Sequence, residues 1–247
     1  MESTHLLIFL AGVLAQLVDG ALGMAFGVTA TTVLLSFGVA PAAASTMVHV
    51  AEMFTTAASG ASHIAHRNVD WSMLKRLAVP GMVGGVLGST LLANVDGNMI
   101  RPFVSAYMLV IGAIILAKAL RWRPRTTNLR WAPGLGLVGG FLDAVGGGGW
   151  GPIVTSTLIG HGGAPRRVIG TVNTTEFLVT TATSAALVTQ VGLSDAWPVV
   201  FLVLGGLIAA PFAGWITKVM PERVLMSLVG GLVVLLATIQ LIQVVSR

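Results

Sequence analysis

Apolar stretches long enough to cross a bilayer alternate with short polar gaps along the whole chain. The clearest cover 42–65, 72–94 and 98–120 in the first half, and 166–190, 196–218 and 222–245 in the second. Each is near the roughly 20 residues that a membrane helix needs. Their starts are marked. Pro41 and Pro165 suit a first helical turn, where a missing N–H costs nothing. Asp70 and Asp195 suit N-caps, and Pro221-Glu222 gives another start signal.

Two further apolar segments, 6–37 and 133–160, open the halves and behave differently. Each is too long for one comfortable span and is interrupted by glycine in its middle. The pieces, of roughly 13 residues, are too short to cross alone. A single broken, tilted span and a re-entrant hairpin both fit this pattern.

The two openings are copies. Asp19-Gly-Ala-Leu-Gly23-Met-Ala-Phe-Gly27 matches Asp143-Ala-Val-Gly-Gly147-Gly-Gly-Trp-Gly151. A constant offset of 124 positions also relates the stretches around Thr31 and Thr155, Pro41 to Pro165, and Glu52 to Glu176. Paired glycine-interrupted segments in two halves of a membrane protein point to a substrate site. The expected organisation is a first transmembrane repeat over 1–120, a basic cytoplasmic linker over 121–131, and a second repeat over 132–247.

Charge separates the two topologies. If both openings span, the repeats are parallel, and Arg166, Arg167, Lys218 and Arg223 fall outside. If both are re-entrant, each half has three spans and the second is inverted. Then Arg67, Lys75, Arg76, the linker residues Arg121, Arg123 and Arg125, and all four of those residues lie inside. Only Arg101 and Arg247 lie outside, as do both termini. The positive-inside rule favours the second arrangement. The expected fold is therefore all-α integral membrane, with two inverted repeats. Each has a glycine-broken re-entrant or discontinuous helical segment plus three transmembrane helices.

Composition agrees. The chain has 247 residues, 55% hydrophobic and 9% charged. An ordinary soluble domain is about a quarter charged. The net charge of +5 sits in the gaps between spans. That leaves no folded basic domain to bind nucleic acid. Cysteine is absent, which excludes disulfides, thiolate chemistry and cysteine-ligated metals. Met1-Glu-Ser-Thr-His5 lacks the positive region of a signal peptide, so residues 6–20 are expected in the mature fold. Gly81, Gly84, Gly85 and Gly88, with Gly206, Ala210 and Gly214, form small-xxx-small faces for close packing within the chain or in a homodimer.

The candidate chemistry gathers at the breaks. A helix broken inside a membrane exposes backbone N–H groups that water cannot reach. The start of the following half-helix offers free donors and a partial positive charge, which suits an anion. Gly23, Met24 and Ala25 would form one lip of that site, and Gly147, Gly148, Gly149 and Trp150 the other. On this reading a side chain at Gly148 covers the donors without disturbing the fold. Asp19 and Asp143, just before the breaks, are candidate structural caps.

Glu52 and Glu176 fall near mid-bilayer depth, where a bare carboxylate must pair, face a cavity or take a proton. They are candidates for proton coupling or for shaping the cavity. His49 lies one turn before Glu52, and its counterpart Asn173 one turn before Glu176. With Thr46 and Thr171 they would add donors to a small oxyanion. His63 and His66 have helical spacing for a metal but no third ligand, so neither a metal nor another cofactor is expected. Trp71 and Trp197 read as interface anchors. No hydrolase elbow, HExxH, P-loop or dinucleotide fingerprint is present, and no enzyme activity is expected.

These segments resemble the TauE/SafE family, also called the sulfite exporter or TSUP family. The resemblance rests on Leu22–Gly27 and Val145–Pro152. It also rests on Ala40-Pro41 with Ser45-Thr46, and on Ala164-Pro165-Arg166-Arg167 with Gly170-Thr171. The second copy follows the family pattern well. The first has Met24, Ala25 and Phe26 where glycines are usual, and Ser45 in place of a glycine. The resemblance covers essentially the whole chain. It implies a multi-pass transporter of the bacterial or archaeal inner membrane, acting on small sulfur-containing anions such as sulfite, thiosulfate, sulfoacetate and related organosulfonates. A proton-coupled secondary transporter working by alternating access is the expected activity. An uncoupled anion channel and a membrane subunit of a larger complex are the rivals.

Overall fold

The computed structural model describes residues 2–94, 106, 109–110, 112–117, 129–193 and 195–245. The expected span 98–120 is described only in part. Arg101, Tyr107, Arg121, Trp122, Arg123, Arg125 and Arg247 lie outside the described residues.

Among the described residues every regular element is helical, as expected of an all-α membrane protein. In chain order the helices are α1 (Glu2–Leu22), α2 (Phe26–Ser36), α3 (Pro41–Ala65), α4 (Trp71–Leu92), α5 (Ala132–Gly146), α6 (Trp150–Gly160), α7 (Pro165–Gln190), α8 (Trp197–Ala209), α9 (Ala213–Val219) and α10 (Glu222–Val245). Pro41 and Pro165 open α3 and α7. Asp70 caps α4 by accepting from the N–H groups of Ser72 and Met73. Asp195 acts one residue earlier than a true cap, because Ala196 holds that position while the Asp195 carboxylate accepts from Trp197 N–H. Pro211 sits in a 3-10 turn, Ala210–Phe212, that joins α8 to α9.

One expectation about length is corrected. The first opening does not split into two short pieces. α1 is 21 residues long, and Thr4–Leu22 is long and apolar enough to cross a membrane. Leu6, Leu7, Leu14 and Leu17 give it a lipid-compatible face. Trp197–Val219 and Glu222–Ile239 also meet that test.

α3 and α7 are the inner helices and carry the polar groups. Thr46, His49, Glu52, Thr55, Thr56 and Ser59 are all buried on α3, and Asn173, Thr175, Glu176, Thr180 and Thr183 on α7. Many large apolar side chains point outward, Val79 and Leu87 on α4 and Ile208 on α8 among them, while Trp150, Phe26 and Met24 are buried. The burial of polar groups follows from a hydrocarbon surround, where exposed backbone and polar groups find no partner.

Contacts fix the helix directions. Gly81 and Gly85 of α4 pack on Val179 and Thr183 of α7, so these two helices run parallel. α3 joins α4 through the short turn 66–70 and is therefore antiparallel to α7. α1 reaches the level of His63, whose Nε2 bonds Gly20 O. α2 then turns back from the level of Glu52 toward the start of α3. α5 and α6 make a matching hairpin, whose two ends meet where Trp131 lies 4.9 Å from His161.

The small-residue faces are filled within the chain. A Cβ at Gly84 would lie 2.9 Å from Phe141 N, and one at Gly88 would lie 3.0 Å from Ala144 Cβ. Gly206 meets Thr55 and Phe26, and Gly214 meets Ser62. Gly84→Leu should therefore cost about 1–3 kcal/mol through overpacking. Lower thermal stability in detergent checks this, with Gly134→Ala as the control because nothing lies within 4 Å of that position.

Candidate functional site

The two breaks face each other at the centre of the molecule. Gly23 (φ 69°) and Ala25 (φ 100°) separate α1 from α2. Gly147 (φ 67°) and Gly148 (φ 131°) separate α5 from α6. These are left-handed values that favour glycine, and an alanine held there costs roughly 1–2 kcal/mol. Backbone approaches backbone. A Cβ at Gly148 would lie 2.5 Å from Gly27 Cα, and one at Gly151 would lie 2.6 Å from Met24 Cα. A side chain at Gly148 therefore disturbs the packing of the breaks, contrary to the expectation that it would only cover donors.

Two threonines tie each break to the other. Thr155 Oγ1 donates to Gly23 O at 2.8 Å, and Thr31 Oγ1 donates to Gly147 O. Neither stood among the candidate site residues. The signal was available, because the 124-residue offset makes Thr31 and Thr155 equivalent.

The aspartates hold the half-helix starts. Asp143 Oδ1 accepts from Gly149 N–H at 2.7 Å and Trp150 N–H at 2.9 Å. Its backbone oxygen accepts from Gly147 and Gly148. The Asp19 carboxylate is bonded to the equivalent N–H, that of Phe26. Each aspartate is then held by a residue of the other half. His49 Nε2 donates to Asp143 Oδ2 at 3.2 Å, and Asn173 Nδ2 donates to Asp19 Oδ2 at 3.0 Å. His49 Nδ1 also lies 2.8 Å from Ser45 O. His49 thus bridges its own helix and the second break, with Ser45 Oγ also 3.3 Å from Nδ1.

The glutamates complete the centre. The Glu52 carboxylate accepts from Gly27 N–H, while its Oε2 is buried without a partner. Glu176 Oε2 is also buried and unpartnered. Asp19, Glu52, Asp143 and Glu176 are close enough to act on one another electrostatically, and His49 acts on Glu52 and Asp143. Every described lysine and arginine lies elsewhere.

Other candidates fall outside this constellation. Thr46 Oγ1 returns to Ala42 O in its own helix. Thr171 Oγ1 bonds Arg167 O and accepts from Asp70 N–H, near the start of α7. The Trp150 indole is fully buried and donates to Val172 O at 3.3 Å, so its backbone rather than its ring belongs to the break. Ser59 was not anticipated and donates to Asn173 Oδ1. Among the described residues no group of three or more acidic or histidine side chains has the arrangement of a metal site.

Comparison with known proteins gives the family. The family model for the sulfite exporter TauE/SafE matches residues 8–239. The chain belongs to the TauE/SafE family. It is also 42% identical over 234 residues to the probable membrane transporter protein YtnM of Bacillus subtilis (strain 168), covering 91% of this chain and 78% of that one. No solved structure gives a significant match. Family and relative together support a membrane transporter of the TauE/SafE type.

Proposed function

We propose that this TauE/SafE transporter moves a small sulfur-containing anion together with protons, by alternating access between two inverted repeats. The observation that carries this reading is the occupancy of the half-helix donors. Carboxylates of the chain itself take the N–H groups that an anion would use. Asp143 holds Gly149 and Trp150, Asp19 holds Phe26, and Glu52 holds Gly27.

Four carboxylates gathered around one histidine, with no described lysine or arginine beside them, repel an anion while ionised. A proton on a carboxylate removes that charge and weakens its hold on the N–H donors, which then serve the substrate. Anion and proton thus load together. Gly23, Met24, Ala25, Gly147, Gly148, Gly149 and the Trp150 backbone would supply the site. His49 and Asn173 would steer the aspartates, and Glu52 and Glu176 would carry protons.

Orientation follows from charge. Arg67, Lys75, Arg76, Arg130, Arg166, Arg167, Lys218 and Arg223 all sit at the end where α3 finishes and α7 begins. The positive-inside rule places that end in the cytoplasm and the first residues of α1 outside. The chain would then reside in the bacterial inner membrane.

Purified protein in liposomes tests the proposal. Uptake of sulfite, thiosulfate and sulfoacetate is measured with and without an imposed pH gradient. Accumulation of one of them that follows the proton gradient is expected. Flux without accumulation under any gradient would make the protein a channel.

A further inference from the structure

The two ends of the molecule are held in unequal ways, although the repeats have matching sequences. At the basic end, Asn68 in the α3–α4 turn is fully buried and joins three helices. Arg166 Nε at the start of α7 donates to Asn68 Oδ1 at 2.7 Å. Asn68 Nδ2 donates to Gly214 O of α9 at 2.9 Å and lies 3.2 Å from His63 Nδ1 on α3. His63 Nε2 in turn bonds Gly20 O of α1 at 2.9 Å. Arg166 Nη2 also reaches His66 O, and Arg167 Nη1 reaches Val69 O at 3.0 Å.

The equivalents at the other end carry none of this chemistry. By the 124-residue offset, Asn68 corresponds to Gly192, Arg166 to Ala42 and Arg167 to Ala43. Gly192 has nothing within 4 Å of where a Cβ would stand, and neither has Gly38 in the α2–α3 turn. The inner half-helices differ in the same sense. Every residue of α6 is buried, including Ser156. Its equivalent on α2, Thr32, is exposed, as is Ser36 one turn on.

We propose that Asn68, locked by Arg166, is a positioning residue forming a latch that closes the cytoplasmic end in the state described here, and that its release exposes α6 as α2 is exposed now. Which end is cytoplasmic rests on the inverted-repeat reading above. The latch itself rests only on the contacts. In two related halves, the conformation of one repeat is the natural template for the other state of its partner, and alternation exchanges the two. A latch that stands, among the described residues, at one end only sets which state predominates without substrate, because it contributes hydrogen bonds to one state and none to the other.

The absence of cysteine gives a clean test. Thr32→Cys and Ser156→Cys are made singly, in the full chain and again with Asn68→Ala or Arg166→Ala. A membrane-impermeant thiol reagent is applied to right-side-out and inside-out vesicles. With the latch intact, Thr32→Cys should label from the face opposite the basic loops, and Ser156→Cys should be protected from both faces. Removing either latch residue should raise Ser156→Cys labelling from the basic face about ten-fold, the population shift expected from losing one or two net hydrogen bonds. Labelling of Thr32→Cys should fall in parallel.

Protection of Ser156→Cys in both latch variants overturns the proposal. So does simultaneous labelling of both positions from both faces, which would mean that Asn68 merely holds the fold together. Arg166→Ala keeps the test open if Asn68→Ala misfolds, because Arg166 is only part-buried. No substrate enters the assay. A labelling switch without anion flux therefore sinks the transport reading alone, and proton-driven flux without a switch sinks the latch alone.

Discussion

Glu52→Gln is expected to keep anion-for-anion exchange and lose all response to a pH gradient. Glu52 touches the first break directly. Its carboxylate accepts from Gly27 N–H, and Oε1 lies 2.9 Å from where a Gly27 Cβ would stand. Glutamine keeps an acceptor for that N–H and keeps the shape. It fixes the charge at zero, so the site resembles the protonated state whatever the pH. A one-unit gradient drives about ten-fold accumulation when one proton accompanies each anion. The variant should show none while unidirectional exchange continues. Glu176→Gln is the comparison, since Glu176 has an equally unpartnered oxygen. Accumulation with the unmodified pH dependence in both variants would leave no coupling role for either glutamate, and the channel reading would gain.

Gly148→Ala should abolish correctly packed protein rather than merely weaken substrate binding. Gly148 adopts φ 131°, and its Cα lies against Gly27 of the opposing break. A methyl there would stand 2.5 Å from Val28 N and from Gly27 Cα, both backbone atoms that cannot rotate aside. Backbone strain and overpacking each cost roughly 1–3 kcal/mol. Their sum consumes much of a typical stability margin of about 5–15 kcal/mol. Size-exclusion profiles and thermal unfolding in detergent should show loss of the monodisperse species. Gly146→Ala, two residues earlier in helical geometry, has nothing within 4 Å and should be tolerated. A Gly148→Ala protein as stable as the parent would mean that the breaks do not cross at Gly27 and Gly148.

Much of the helical plan was legible from hydropathy, proline and aspartate alone. The starts at Pro41, Pro165 and Trp71 follow from local rules that need no tertiary contact. The places of the breaks were legible for the same reason, because runs such as Gly146–Gly149 end helices locally. The length of α1 was misjudged because Gly12 and Gly20 are tolerated inside a helix when they pack against Leu202 and Ala213.

The partners of the polar groups could not be read from the chain. The one-turn spacing of His49 and Glu52 suggested a shared site for a substrate, whereas folding delivers His49 to Asp143 and Asn173 to Asp19. These bonds join residues 94 and 154 positions apart. No local pattern encodes such a pairing. Helical periodicity says which face a residue occupies, and only the crossing of two helices decides what that face meets.

The sequence by itself thus determined a membrane-embedded helical chain, a repeated sequence pattern and two glycine breaks. Each of these depends on local hydrophobicity, backbone freedom and repetition. The tertiary structure alone decided that the breaks cross backbone to backbone, that the chain's own carboxylates occupy their N–H donors, and that Asn68 ties Arg166 to Gly214 at the basic end. Those outcomes depend on which surfaces come together, and matching segments differ in them because Asn68, Arg166 and Arg167 have no counterparts beyond glycine and alanine.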